Sequence, residues 1–372
     1  MGLKNYIKSN LYAISGWSTS RKIIVIESDD WGSIRMQSAD AFKKMSQQFK
    51  LKDNPFNRVD SLETAKDLEL LYDCLTSVRD KNDRHSIITA NFLTANPDFE
   101  KIKAAGFEEY FYEDFRDSYQ RYDCGSAFEL VQKGISADIF YPQFHGREHV
   151  QVDYWMNDLK AAKQETIAGF EHRFFGFGRN EINPKGYLSS FYTASETELN
   201  NVKKTIHEGL QQFEQAFGFT SRSVIAPQNT MHPKLLPFLK ENGVDVIQGA
   251  RVRKQPLLKA GEKPTAKRFM GRVNEFGQID IVRNVTFEPG SHSASQVAKA
   301  LKEIEIAFRW KKPAVICSHR HNFMGTLKAS NRENGLNQLG ALLKAICKKW
   351  PETEFMTTVE LADLIKSSKK TG

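Results

Sequence analysis

Short β-branched runs alternate with amphipathic helical patterns along most of this chain, and that alternation restricts its fold more than any other feature. The runs are 22–26 (KIIVI), 86–91 (SIITAN), 138–144 (DIFYPQF), 223–226 (SVIA), 244–247 (VDVI), 279–282 (IDIV) and 314–317 (AVIC), each followed by polar or Gly/Asn-rich residues. They read as buried strands. Between them helix starts are legible. Asp60 and Glu63 form a capping-box pattern ahead of Leu68, Leu71, Leu75 and Val78. Ser195 and Glu198 do the same ahead of Leu199, Val202, Ile206, Leu210 and Phe213, with Gly218 as the stop, and Thr357 with Glu360 caps a last helix. Strands alternating with helices imply a parallel sheet. About seven strands without a Gly-rich dinucleotide fingerprint favour a distorted α/β barrel, of (β/α)7 type, over an open Rossmann sheet.

A length of 372 residues suits one large barrel as well as two domains. We read residues 1–372 as a single catalytic domain, with an N-terminal extension at 1–20 and insertions at 165–195 and 251–280. The first insertion carries Phe174, Phe175, Gly176, Phe177 and Gly178; the second carries eight Lys/Arg against Glu262, Glu275 and Asp280. The net charge of +8 can help hold an anionic partner but is not the basic stripe of a nucleic-acid binder. No stretch approaches the roughly 20 apolar residues of a membrane span. The first 17 residues contain Lys4 and Lys8 but no continuous apolar core, so no signal peptide is expected. Cys74, Cys124, Cys317 and Cys347 are scattered without a CxxC pair, which argues against disulfides or a thiolate zinc site and for a cytoplasmic setting, peripheral membrane contact left open. Any metal must then be held by His and carboxylate.

Parallel α/β folds place their sites at the carboxyl ends of strands. The first run ends Glu27-Ser28-Asp29-Asp30-Trp31-Gly32. Three carboxylates in four residues repel one another unless a cation offsets them. The third ends His145-Gly146-Arg147-Glu148-His149, two His four apart, read as one face of a helical turn able to share an ion. The fourth ends Ala226-Pro227-Gln228-Asn229, whose backbone N–H groups could line a site. The seventh ends Ser318-His319-Arg320-His321-Asn322, where a His could donate a proton across the barrel mouth. Solvated turns and surface histidines are the plainer alternatives for each motif alone.

With these residues in order, the chain resembles the polysaccharide deacetylases of carbohydrate esterase family 4, with chitooligosaccharide-deacetylase homology. ESDDWGS, HGREH and VICSHRHNF stand where that family has T/S-F-D-D, H-[ST]-x-x-H and a final hydrophobic-x-His motif. The resemblance implies the distorted barrel of the glycoside hydrolase/deacetylase superfamily. It implies one divalent metal, zinc first and cobalt, nickel or manganese as alternatives, bound by Asp30, His145 and His149. Asp29 would be the general base, His319 the general acid, and Gln228 an oxyanion donor through its backbone N–H. The implied activity is removal of an acetyl group, N-acetyl ahead of O-acetyl, from a carbohydrate of bacterial surface-polysaccharide metabolism, anionic or lipid-linked substrates included.

The chain departs from the family pattern in three places. Gly146 replaces the Ser/Thr, the Asp of a further motif has no match, and Ile225-Ala226-Pro227-Gln228 lacks the Arg of R-x-P-Y, for which Arg35, Arg283 and Arg320 are the candidates. Competing readings are a glycoside hydrolase pairing Asp29 with Glu27 or Glu288, an inverted H-x-x-E-H zinc peptidase with Glu148 as base, and a carbohydrate-binding protein that has lost catalysis. Trp31 and the aromatics of 174–177 could stack on sugar or pack in the core. The basic stretch 251–272 could meet acidic polysaccharide or lipid phosphate, or face water.

Overall fold

The computed structural model describes residue 10 and residues 14–49, 51–177, 186–291 and 295–370. Its strands are β1 (Lys22–Trp31), β2 (Ile88–Leu93), β3 (Ala95–Pro97), β4 (Tyr112–Asp114), β5 (Phe140–Gly146), β6 (Ser223–Val224), β7 (Val246–Gly249), β8 (Val252–Lys254), β9 (Thr265–Lys267), β10 (Ile279–Val282), β11 (Val285–Thr286), β12 (Ala314–His319) and β13 (Thr353–Met356). Every sequence-predicted strand is present within a few residues. The two-residue β11 is too brief to show a period, and β13 was not among the strands read from the sequence.

The main sheet runs β10-β7-β6-β5-β2-β1-β12-β11, with β13 on β1. All its pairings are parallel. The chain between β10 and β11 joins the two ends. Val282 pairs with Gly249 of β7, and three residues later Val285 pairs with Ile316 of β12. Between them, Arg283 N donates to Gly249 O (3.0 Å) and Asn284 N to Val315 O (3.1 Å). One segment thus changes neighbours and closes the curled sheet, giving the distorted α/β barrel expected from the alternation of strands and helices.

The strands are buried on both faces, as parallel strands covered by helices must be. One core joins the sheet to the helices Ala65–Thr76, Ala127–Ser136, Glu196–Phe217, Val297–Arg309 and Ala329–Lys349. A second cluster beside it gathers Trp155, Phe170, Phe174, Phe175 and Phe177. The aromatics of the 165–195 segment therefore pack in a core, and Trp31 is fully buried edge-on to Phe140, so neither offers a face to sugar. Gly178 and the rest of 178–185 lie outside the described residues.

The helix over Glu196–Phe217 starts at Ser195 and stops at Gly218 (φ +77°) as predicted, and Thr357 with Glu360 forms a reciprocal cap. The Asp60/Glu63 capping box is not formed. The cap is Thr64 with Asp67, and the helix begins at Ala65. Asp60 and Glu63 instead bind the fully buried guanidinium of Arg320, a charge demand from the far end of the chain that outweighs local capping. In the 251–280 segment, part of the basic excess is structural. Arg268 is buried, pairs with Asp280 and donates to the carbonyls of Ile247 and Gln248 at the end of β7.

Candidate active site

The carboxyl ends of the strands open into one cavity of about 800 Å³, lined by Asp29, Asp30, His145, His149, Gln228, Arg283 and His319 among others. All six residues singled out from the sequence as base, acid, metal ligands and oxyanion donor are brought together there.

Successive side chains of a regular strand point to opposite faces. Asp29 and Asp30 nevertheless both line the cavity. The ladder with β2 slips between Ser28 and Trp31, and Asp30 takes a left-handed φ of +76°. This bulge turns the second carboxylate inward, and such strain at a non-glycine residue is characteristic of functional sites. The turn beyond it is held by Glu63, which accepts from Gly32 N (2.8 Å) and is anchored by Tyr119 and Arg320.

Asp30 Oδ1 lies 3.2 Å from His145 Nε2 and 3.3 Å from His149 Nε2. In tetrahedral coordination at about 2.0–2.2 Å, neighbouring ligand atoms sit roughly 3.3–3.5 Å apart, so this spacing fits a shared cation. His145 Nδ1 is 2.8 Å from Ile225 O, a pure acceptor, which places the proton on Nδ1 and leaves Nε2 as a ligand. Burial lowers the proton affinity of His149, keeping it neutral as a ligand must be. Two imidazoles and one carboxylate suit zinc or a neighbouring transition metal, and the residues fit such an ion.

The pair of histidines is not on a helical turn. His145 is the penultimate residue of β5, Gly146 ends the strand with φ +124°, and His149 follows in an irregular loop. Gly146 explains one departure from the family motif, because a side-chain-bearing residue is strained at that φ. Glu148 is buried in a two-bond pair with Arg147 (2.5 and 2.7 Å) and so does not serve as the base of an inverted peptidase motif.

Asp29 is held by Arg283, whose Nη1 and Nη2 donate to its two oxygens (2.7 and 2.6 Å) while Nε donates to Glu27 (2.6 Å). Asn91 Nδ2 adds a further bond at 2.8 Å. Burial would raise the Asp29 pKa, but Arg283 brings it down to about 2. Of the three arginines considered from sequence, Arg283 is thus the one on Asp29; Arg320 is committed to Asp60 and Glu63, and Arg35 lines the cavity. Glu27 is fully buried between Arg283 and Thr358, which removes it as a partner flanking a glycosidic bond.

The register of β1 on β12 sets Asp29 opposite His319, with Asp29 Oδ2 3.7 Å from His319 Nε2. His319 Nδ1 meets Glu288 at 2.6 Å, and Glu288 is steadied by Asn322 Nδ2 (2.7 Å). Burial opposes charge on His319, yet Glu288, with Asp29 and Asp30 beyond it, raises its pKa well above the ordinary imidazole value. Phe56 packs edge-on against its ring at 5.0 Å. Asn91 was missed as a site residue, and Glu288, considered from sequence only as a glycosidase carboxylate, is instead the partner of His319. Asn91 lies near the carboxyl end of β2 and Glu288 two residues beyond β11, the signal that points to both. Gln228 sits at the rim in a left-handed turn (φ +54°).

No family model and no curated protein matches the sequence. Similarity appears in solved structures. A Parabacteroides distasonis protein assigned as a glycoside hydrolase/deacetylase aligns at TM-score 0.51 and 7% identity, over 95% of this chain and 73% of that one. A Mycobacterium smegmatis protein assigned as a polysaccharide deacetylase aligns at TM-score 0.45 and 10% identity, over 95% and 94%. A family 4 acetyl xylan esterase from Clostridium thermocellum, solved with cobalt, aligns at 0.40 and 10%, over 92% and 91%. At 7% identity the likeness to the first of these, at TM-score 0.51, is one of fold.

Proposed function

We propose that this chain is a metal-dependent carbohydrate deacetylase acting on N-acetyl groups ahead of O-acetyl groups, in bacterial surface-polysaccharide metabolism, with residues 1–372 as one catalytic domain. The observation that carries this reading is the meeting in one cavity of a His/His/Asp ligand set, a carboxylate clamped by an arginine, and a carboxylate-backed histidine facing it.

Asp30, His145 and His149 would hold the cation, zinc being our first choice, and such an ion supplies a Lewis acid that polarises the acetyl carbonyl and acidifies water. Asp29, kept ionised by Arg283, accepts the proton of the attacking water. A carboxylate has about four lone-pair positions, so the bonds from Arg283 and Asn91 leave capacity for that water. His319, kept protonated by Glu288, delivers a proton to the departing amine. The Gln228 backbone N–H is assigned to the developing oxyanion.

Elemental analysis of the purified protein, combined with acetate and reducing-sugar release from a panel of N-acetylated sugars, tests the reading. Bound transition metal and acetate without reducing sugar are expected. Full acetate release by His145→Ala in the presence of chelator would end the proposal, and reducing sugar without acetate would favour a glycosidase.

A further inference from the structure

The cavity contains a charged group that the proposed chemistry leaves unused. Arg35 lines it and is only 9% exposed. Its Nε is buried without a hydrogen-bond partner, and among the described residues its guanidinium makes no hydrogen bond or ion pair. A buried guanidinium ordinarily finds a carboxylate. The two nearest in electrostatic terms are Asp60 and Asp30. Asp60 is occupied by Arg320 and Asp30 by the imidazoles of the metal set. Gly176 makes room for this arrangement. A Cβ there would stand 2.7 Å from Arg35 Nε and 2.8 Å from the Phe174 ring. A buried guanidinium without a partner on a cavity wall calls for a ligand that satisfies it.

We infer that the Nη groups of Arg35 receive an anionic group of the acetylated sugar. The planar guanidinium fork suits two-oxygen recognition of either a ring carboxylate or a sugar phosphate. The inference rests on the deacetylase reading for the acetyl group, and supplies a substrate class for it: a uronic acid or a phosphorylated amino sugar.

Three probes decide the matter: N-acetylglucosamine, its 1-phosphate, and N-acetylglucosaminuronic acid. Each is titrated calorimetrically into the protein as purified and after chelation. At least one anionic sugar should bind tenfold or more tighter than the neutral one, and the phosphate and carboxylate arms show which anion is meant. Arg35→Gln should abolish the preference while leaving affinity for the neutral sugar within twofold. If that variant does not keep the wild-type circular dichroism spectrum, Arg35→Lys replaces it, with the preference falling at least threefold as the planar fork is lost. Equal binding of neutral and anionic sugars by the wild-type protein, or an undiminished preference in the substituted one, overturns the inference. Because binding is read without turnover, an intact preference with no acetate release from any sugar sinks the deacetylase reading and leaves the anion site standing.

Discussion

Replacing Arg283 by Met tests the charge logic of the site. Arg283 is 7% exposed and contributes three donor contacts of 2.6–2.7 Å to two carboxylates, Glu27 with no exposure and Asp29 with almost none. Removing one partner of a buried ion pair leaves an uncompensated charge, at a cost of about 3–5 kcal/mol. Protonation limits the loss. Burial already raises the Glu27 pKa against the opposing pull of Arg283, so without the guanidinium it rises further. A folded-state pKa above the unfolded value gives stability that is present at low pH and lost as pH rises through the folded pKa. The deficit of Arg283→Met should therefore be largest near neutrality and shrink towards pH 5, by at most about 1.4 kcal/mol per pH unit for each proton taken up. Adding Glu27→Gln should recover about 1–2 kcal/mol by removing one of the stranded charges. Urea unfolding followed by circular dichroism at pH 7 and pH 5, on chelated protein, measures all of this. A deficit below about 1 kcal/mol that does not change with pH, together with no recovery from Glu27→Gln, would refute the reasoning that these carboxylates depend on a buried guanidinium.

Three further outcomes are expected. His145→Ala should keep the fold but lose stoichiometric metal and reduce acetate release by at least about 100-fold, checked by elemental analysis beside the activity assay. Glu288→Gln removes what holds His319 protonated; since the acid form is lost as pH rises through its folded pKa, the alkaline limb of kcat/KM should move to lower pH by about one unit or more, and an unmoved limb would show that Glu288 does not set it. Gly146→Ala imposes a side chain at φ +124° and should cost about 1–3 kcal/mol, read as a lower Tm; an unchanged Tm would mean that the loop relaxes freely.

The alternation of apolar runs made the barrel legible because buried parallel strands must be continuously apolar, and the strand ends then pointed to Asp29, Asp30, His145 and His149. What stayed hidden depends on long-range pairing. Asp60 and Glu63 satisfy a local capping pattern, yet they serve Arg320, some 260 residues away. The helical turn assumed for HGREH failed because two histidines four apart can also face one point when a glycine with positive φ bends the chain out of a strand. Glu288 was considered only as a glycosidase carboxylate; its pairing with His319 stayed hidden because β11, two residues long, carries no pattern that places it beside β12. The aromatics near 174 gave an ambiguous signal that burial alone resolved.

The substitute for the missing motif arginine follows from the spacing of charges on β1. Glu27 and Asp29 are two residues apart, so their side chains leave the strand on the same face. A single guanidinium can then bridge both, and Arg283 does so with Nε on Glu27 and its two Nη groups on Asp29. Asp30, turned out of the alternation by its left-handed φ, lies beyond that bridge and falls to the two imidazoles. The acidic tip thus needs two separate cationic solutions, and the position of Arg283 makes the first available. It lies between β10 and β11, where the chain passes from pairing with β7 to pairing with β12, so its backbone closes the sheet while its side chain crosses Cys317 of β12 to reach β1. With a guanidinium arriving from this seam, the position two before Pro227 is free to be Ile225. The sequence of β1 dictates that an arginine must come; closure of the barrel determines which one can.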